Sequence, residues 1–113
     1  MPTPHWPNAA SVELDDWGAG TNTIAGAPRA SGKVLFQRED GSSECGLWRC
    51  TPGTRRVAFQ ADEFCHFLSG RGLYIRDDGE RIPVEAQTLV FFPAGWTGTC
   101  EITETLTKAF MCR

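Results

Sequence analysis

From residue 33 onward, short apolar runs alternate with clusters of Gly, Asp, Ser and Pro. Runs of this length, rich in Val, Ile, Phe, Tyr and Trp, predict β-strands near 33–37 (KVLFQ), 44–50 (ECGLWRC), 55–60 (RRVAFQ), 63–69 (EFCHFLS), 71–76 (RGLYIR), 81–85 (RIPVE), 88–92 (TLVFF), 97–103 and 105–111. Between them, EDGS at 39–42 and DDGE at 77–80 read as hairpin turns, because glycine supplies the positive φ that tight turns require. No window repeats its apolar residues at the helical period. Many short strands with frequent turn signals predict an all-β sandwich or barrel. Residues 1–31 are rich in Pro, Gly, Ala, Ser and Asn without a sustained period. They are expected to form an irregular N-terminal arm with one short strand at most, pinned by Trp6 and Trp17. Arm and barrel (1–31 and 32–113) belong to one domain, as 113 residues suggest.

Side chains alternate faces along a strand, so two strands can be read for direction. Glu63, Cys65 and Phe67 share one face, and Phe64, His66 and Leu68 share the other. On the last strand Leu106, Lys108, Phe110 and Cys112 form the more apolar set and are expected to point inward. An unpaired ammonium there is costly, so Lys108 needs a partner, and Glu63 is the candidate. The pair has two readings: a structural ion pair, or a working site in which Glu63 moves protons and Lys108 anchors a carboxylate or acts as a buried amine.

Charge narrows the partners. The net charge is −3 and Lys and Arg are scattered, so nothing offers nucleic acid a basic face. The scattered Arg55, Arg56, Arg71 and Arg76 are expected on a solvated outer face. The apolar runs are too short to span a bilayer, and no secretory leader is expected at the N-terminus. Five cysteines (45, 50, 65, 100 and 112), without a C-x-x-C pair, are expected as free thiols in a reducing cytoplasm.

The stretches GAPRASGKVL (26–35), GLWRCTPG (46–53), EFCHFLSGRG (63–72), DDGE (77–80), FPAGWTGTCEI (92–102) and ETLTKAF (104–110) carry a resemblance. In order and spacing the chain resembles the cupin superfamily of RmlC-like jelly-roll barrels. More narrowly, it resembles the small cupins that share their domain with (S)-ureidoglycine aminohydrolase, and the likeness extends to the cupins of ethanolamine utilisation. It implies a single cupin barrel, and a homodimer. The first cupin motif places two histidines ahead of a glutamate that precedes a glycine by seven positions. Glu63 and Gly70 match that last spacing, whereas the histidine positions fall near Val57 and Phe59. In the second motif Pro93-Ala94-Gly95 matches, Gln87 stands for the opening glycine and Gly98 for the third histidine. One carboxylate does not hold a transition metal, so no metal is expected at the usual place and no other cofactor is implied.

The expected function is therefore binding of a small polar metabolite inside the barrel. Glu63 and Lys108 would supply polar or catalytic contacts, and Trp48, Trp96, Phe91, Cys65 and Cys100 would line the ligand. The alternatives are a C–N hydrolase similar to (S)-ureidoglycine aminohydrolase, and a packed barrel serving as a structural or partner-binding protein. His66 and His5 are expected outside the site.

Overall fold

The alternation over 63–69 and 71–76 forms one strand rather than two, and so does that over 97–103 and 105–111. The computed structural model describes residues 2–20 and 22–113. A short 3₁₀ turn at Ala9–Ser11 precedes β1 (Asp15–Ala19), β2 (Thr23–Gly26), β3 (Arg29–Gln37), β4 (Glu44–Cys50), β5 (Gly53–Ala58), β6 (Glu63–Arg76), β7 (Arg81–Glu85), β8 (Leu89–Phe92) and β9 (Thr97–Cys112). The stretch expected as an irregular arm thus contributes two strands, and the 31/32 boundary falls inside β3. The Pro/Gly-rich composition hid these strands because β1 and β2 are short edge strands that draw little on an apolar pattern.

Every pairing is antiparallel, and β6 and β9 form the spine. One edge of β9 runs along β6, from Glu63↔Cys112 to Arg76↔Gly98. Its other edge pairs first with β5 (Ala58↔Thr97 to Gly53↔Ile102) and then with β4 (Cys50↔Leu106 to Glu44↔Cys112). The sheet continues β1-β3-β4-β9-β5-β2. Its outermost strands are neighbours in sequence, so the sheet curls back on itself into a half-barrel, and β7 and β8 pair with β6.

The spine bends in its middle. The β6–β9 register shifts three times between Phe67 and Gly72. At that bend Gly70 has φ +92°, and a Cβ there would lie 2.0 Å from the Thr105 carbonyl oxygen. Only glycine lets the two backbones come so close. Gln87 also has positive φ, at 76°, which explains why the motif opens with glycine at that position.

Inside the curl, Phe92 is fully buried and central. It stacks on Phe59 at 4.3 Å and touches Tyr74 at 4.9 Å and Trp96 at 5.1 Å. Cys50, Cys65, Cys100, Phe67, Val84, Ile102 and Leu106 complete this core. Packed cores of this kind tolerate little movement, so the walls they support are rigid. Gly70→Ala is expected to destabilise the fold by about 1–3 kcal/mol, because it adds both a positive-φ penalty and a backbone clash. Calorimetric unfolding checks this, and an unchanged Tm would mean that the bend is not a fixed constraint.

Candidate ligand-binding site

The curl leaves an open cavity of about 610 Å³ on one side of the core. Its floor is set by strand alternation. β9 turns Lys108, Phe110 and Cys112 inward, β6 turns Glu63 and Tyr74, β4 turns Trp48, and β5 turns Arg55 and Val57. Phe59 follows β5 and is held by backbone hydrogen bonds to the PAGW turn. Its N–H donates to the Trp96 carbonyl at 3.0 Å, and the Phe59 carbonyl accepts from the Gly95 N–H at 2.8 Å.

At the centre, Lys108 Nζ donates to Glu63 Oε2 at 2.6 Å, with both side chains almost wholly buried. In the register Glu63 faces Cys112 and Lys108 faces Phe67, so the pair lies on a diagonal that the lysine's long stem spans. Two thiols complete the carboxylate's shell: Cys65 Sγ donates to Oε2 at 3.1 Å and Cys112 Sγ to Oε1 at 3.2 Å. Burial alone would raise the Glu63 pKa. The Lys108 charge, its hydrogen bond and the two thiols outweigh that and hold it below the ordinary glutamate value. Glu63 is therefore a saturated carboxylate, poorly suited to accept a proton near neutral pH.

Lys108 is also caged by aromatic faces. Its Nζ lies 4.9 Å from the Trp48 ring centroid and 5.4 Å from that of Phe59. Arg55 Cζ lies 5.6 Å from the same Trp48 ring. Arg55 thus faces the cavity, which corrects its expected place on the solvated surface. Its expected companions do lie outside, where Arg56 pairs with Asp77, Arg71 with Glu85 and Glu104, and Arg76 with Asp78. These exposed pairs are screened by solvent, whereas the Glu63–Lys108 pair is shielded from it. Alternation held the signal for Arg55: if Val57 points inward, so does a residue two positions earlier.

The remaining expected site residues divide. Trp48 and Cys100 line the cavity, with Cys100 beside the Tyr74 hydroxyl. Cys65 touches Glu63 from the core side. Trp96 does not line the cavity; it is buried in the core against Phe59, Tyr74 and Phe92. Phe91 points away from the cavity and is 57% exposed on the outer face, opposite Phe64. On a strand as short as β8, alternation sends Phe92 in and Phe91 out, and two adjacent phenylalanines gave no sequence signal for which. His66 is also on the outer side, where its Nε2 is 2.9 Å from Gln87 Oε1. Arg55, Phe59, Tyr74 and Cys112 join the site without having been singled out as ligand contacts.

All five cysteines are free. Burial pushes Cys100 up to about 11, and burial with the Glu63 carboxylate pushes Cys65 and Cys112 up to about 12. Thiols this weakly acidic are hydrogen-bond donors rather than nucleophiles.

The donor set does not fit the metal of a conventional cupin. Val57 and Phe59 offer no ligand atom, and Phe59 is stacked in the aromatic core. At Gly98 a Cβ would lie 2.1 Å from the Ile75 carbonyl oxygen and 2.7 Å from the Trp96 ring, so no side chain fits. Lys108 already neutralises Glu63. Among the described residues no three His, Cys, Asp or Glu side chains gather as a metal-ligand group.

Two outcomes follow for the pair. Lys108→Met, which strands a buried carboxylate, is expected to destabilise by about 3–5 kcal/mol, and adding Glu63→Gln is expected to restore much of that. Denaturant unfolding of the four proteins in this cycle measures the coupling; additive losses would contradict it. In the folded state the Glu63 pKa is lowered, so its stabilisation is complete above the unfolded pKa, near 4.5, and is lost as pH falls through the lower folded value. The fall of Tm below about pH 4.5 is therefore expected to be shallower in Glu63→Gln than in the wild type, and equal slopes would remove Glu63 as a contributor.

Comparison with known proteins places this architecture. No curated protein matches the chain significantly. Among solved structures, a protein of unknown function from Pseudomonas syringae superposes with a TM-score of 0.81 at 19% identity, over 91% of this chain and 45% of that one. The present chain thus spans less than half the length of that relative. An ethanolamine utilisation protein Q, described as putative, from Salmonella typhimurium superposes with a TM-score of 0.71 at 17% identity, over 93% of this chain and 81% of that one. The Clostridium difficile EutQ protein gives 0.67 at 20% identity, over 75% and 68%. At these identities the likeness establishes the fold, a cupin jelly roll, and residues 37–110 match the EutQ-like cupin domain. The chain belongs to the EutQ-like cupin domain family.

Proposed function

We propose that this cupin is a binding protein for a small polar metabolite, held in the barrel without a conventional cupin metal. The observation that supports this reading most directly is the cavity itself. It is open, of ligand size, floored by a buried ion pair and walled by Trp48 and Phe59. Small-molecule sites combine apolar walls with a few convergent polar groups in this way. The same cavity weighs against a packed barrel with a purely structural role.

The hydrolytic reading, similar to (S)-ureidoglycine aminohydrolase, has less support. It needs a group to activate water, and Glu63 is held ionised by three donors, with no metal donor set beside it. Binding and catalysis separate cleanly in one experiment. Chelator-treated protein is screened by NMR against a library of small polar metabolites, following the Trp48 indole resonance and watching for turnover. Saturable shifts without turnover, lost in Trp48→Ala, are expected. Shifts or turnover that arise only after a divalent metal is added would overturn the proposal.

A further inference from the structure

Of the charged groups that line the cavity, Arg55 and Lys108 lie against Trp48, and one carboxylate, Glu63, answers them. Lys108 has three N–H donors, and among the described residues it finds one oxygen acceptor, Glu63 Oε2, with the weakly accepting Cys65 sulfur beside it. Its other donors face the Trp48 and Phe59 rings and the cavity, although the residue is 6% exposed. Arg55 is half-buried and, among the described residues, joins no ion pair. Both cations lie near the ring of Trp48, and both act on the Cys100 thiol of β9, which Arg55 faces across the β5–β9 pairing. Other charges lining the cavity lie elsewhere: Arg56 is engaged by Asp77, while Glu44 and Arg113 belong to the strand ends near Cys112.

We infer that this cavity is an anion site in which Arg55 and Lys108, over Trp48, bind the carboxylate of a small organic acid. The inference rests on the proposed binding function and names its ligand class. Two cations held against one indole ring gain from an anion that both can reach, and buried N–H donors need acceptors. A guanidinium offers a planar fork that matches a carboxylate, and the ammonium adds a point donor beside it. The charge count selects a monoanion. Glu63 cancels one cation and leaves one, so a single carboxylate neutralises the site, whereas a phosphate dianion would leave negative charge next to Glu63. Val57, Phe59 and Phe110 provide apolar wall for the organic part. Lys108 and Arg55 thus supply the positive charge that a metal supplies in cupins with histidine ligands.

The test uses chelator-treated full-length protein titrated with lactate, with lactamide (the same shape without charge) and with inorganic phosphate. Trp48 indole NMR shifts and calorimetry are the readouts. Lactate is expected to bind about tenfold or more tighter than lactamide or phosphate, and Arg55→Gln to lose about tenfold of that affinity with Tm little changed. Should Arg55→Gln fail to fold, wild-type lactate affinity must still fall as NaCl rises, while lactamide binding does not. Equal binding of lactate and lactamide, or no effect of salt or of Arg55→Gln, overturns the anion site and leaves metabolite binding standing. Phosphate binding as tight as lactate overturns the monocarboxylate assignment. No binding of any probe at millimolar concentration removes both readings.

Discussion

A buried carboxylate and a buried ammonium, 2.6 Å apart, set the terms for the rest of this protein. Neither charge is tolerable in the core alone, and each is made so by the other and by what surrounds it. The carboxylate takes two thiol donors besides the amine, and the amine takes two aromatic faces. The strands that supply these groups, β4, β6 and β9 with the end of β5, are the ones whose pairing forms the barrel. Moving any of them would expose or strand a charge. The pair therefore favours one register of the spine over its slipped alternatives, in addition to whatever stability it contributes.

The spine explains how a chain this short builds a walled site. β6 and β9 are long enough to contribute to both halves of the barrel, but a straight pair would give a flat ribbon. The register shifts around Gly70 bend them together, so that one half of β9 meets β5 and the other meets β4. Arg55 from β5 and Trp48 from β4 are brought to the same place by that bend, though six residues and a turn separate them in sequence. The conformational freedom of one glycine thus sits upstream of the cavity's electrostatics.

The inward faces of β6 and β9 were legible in the sequence because strand alternation is strict where one side is buried. It put Glu63, Cys65, Lys108 and Cys112 inside and suggested the Glu63–Lys108 contact before any coordinates. The bend was not legible, so each spine strand read as two. The edge strands β1 and β2 lack an apolar period, so their sequence does not distinguish them from an irregular arm. Phe91 and Trp96 failed for a related reason. Aromatic residues serve cores and ligand walls equally well, and sequence shows their chemistry but not which neighbour fills the space in front of them. Arg55 was misplaced by its type: arginine is usually solvated, and that expectation overrode the alternation that pointed it inward.

The cupin barrel usually gathers imidazoles around its glutamate to fix a cation. Here the corresponding positions have become Val57, Phe59 and Gly98, and the last of these has no room for any side chain. Phe59 stacks on Phe92 and gives Lys108 an aromatic face, so the position that would bind a metal ion now cages an ammonium. A glutamate in such a barrel needs a cation, and the lysine provides one that belongs to the chain. An ammonium cannot lower the pKa of water as a bound metal does, but it offers N–H donors with direction. The interior charge of this barrel is thus balanced within the chain itself, by a diagonal pair that ties β6 to β9.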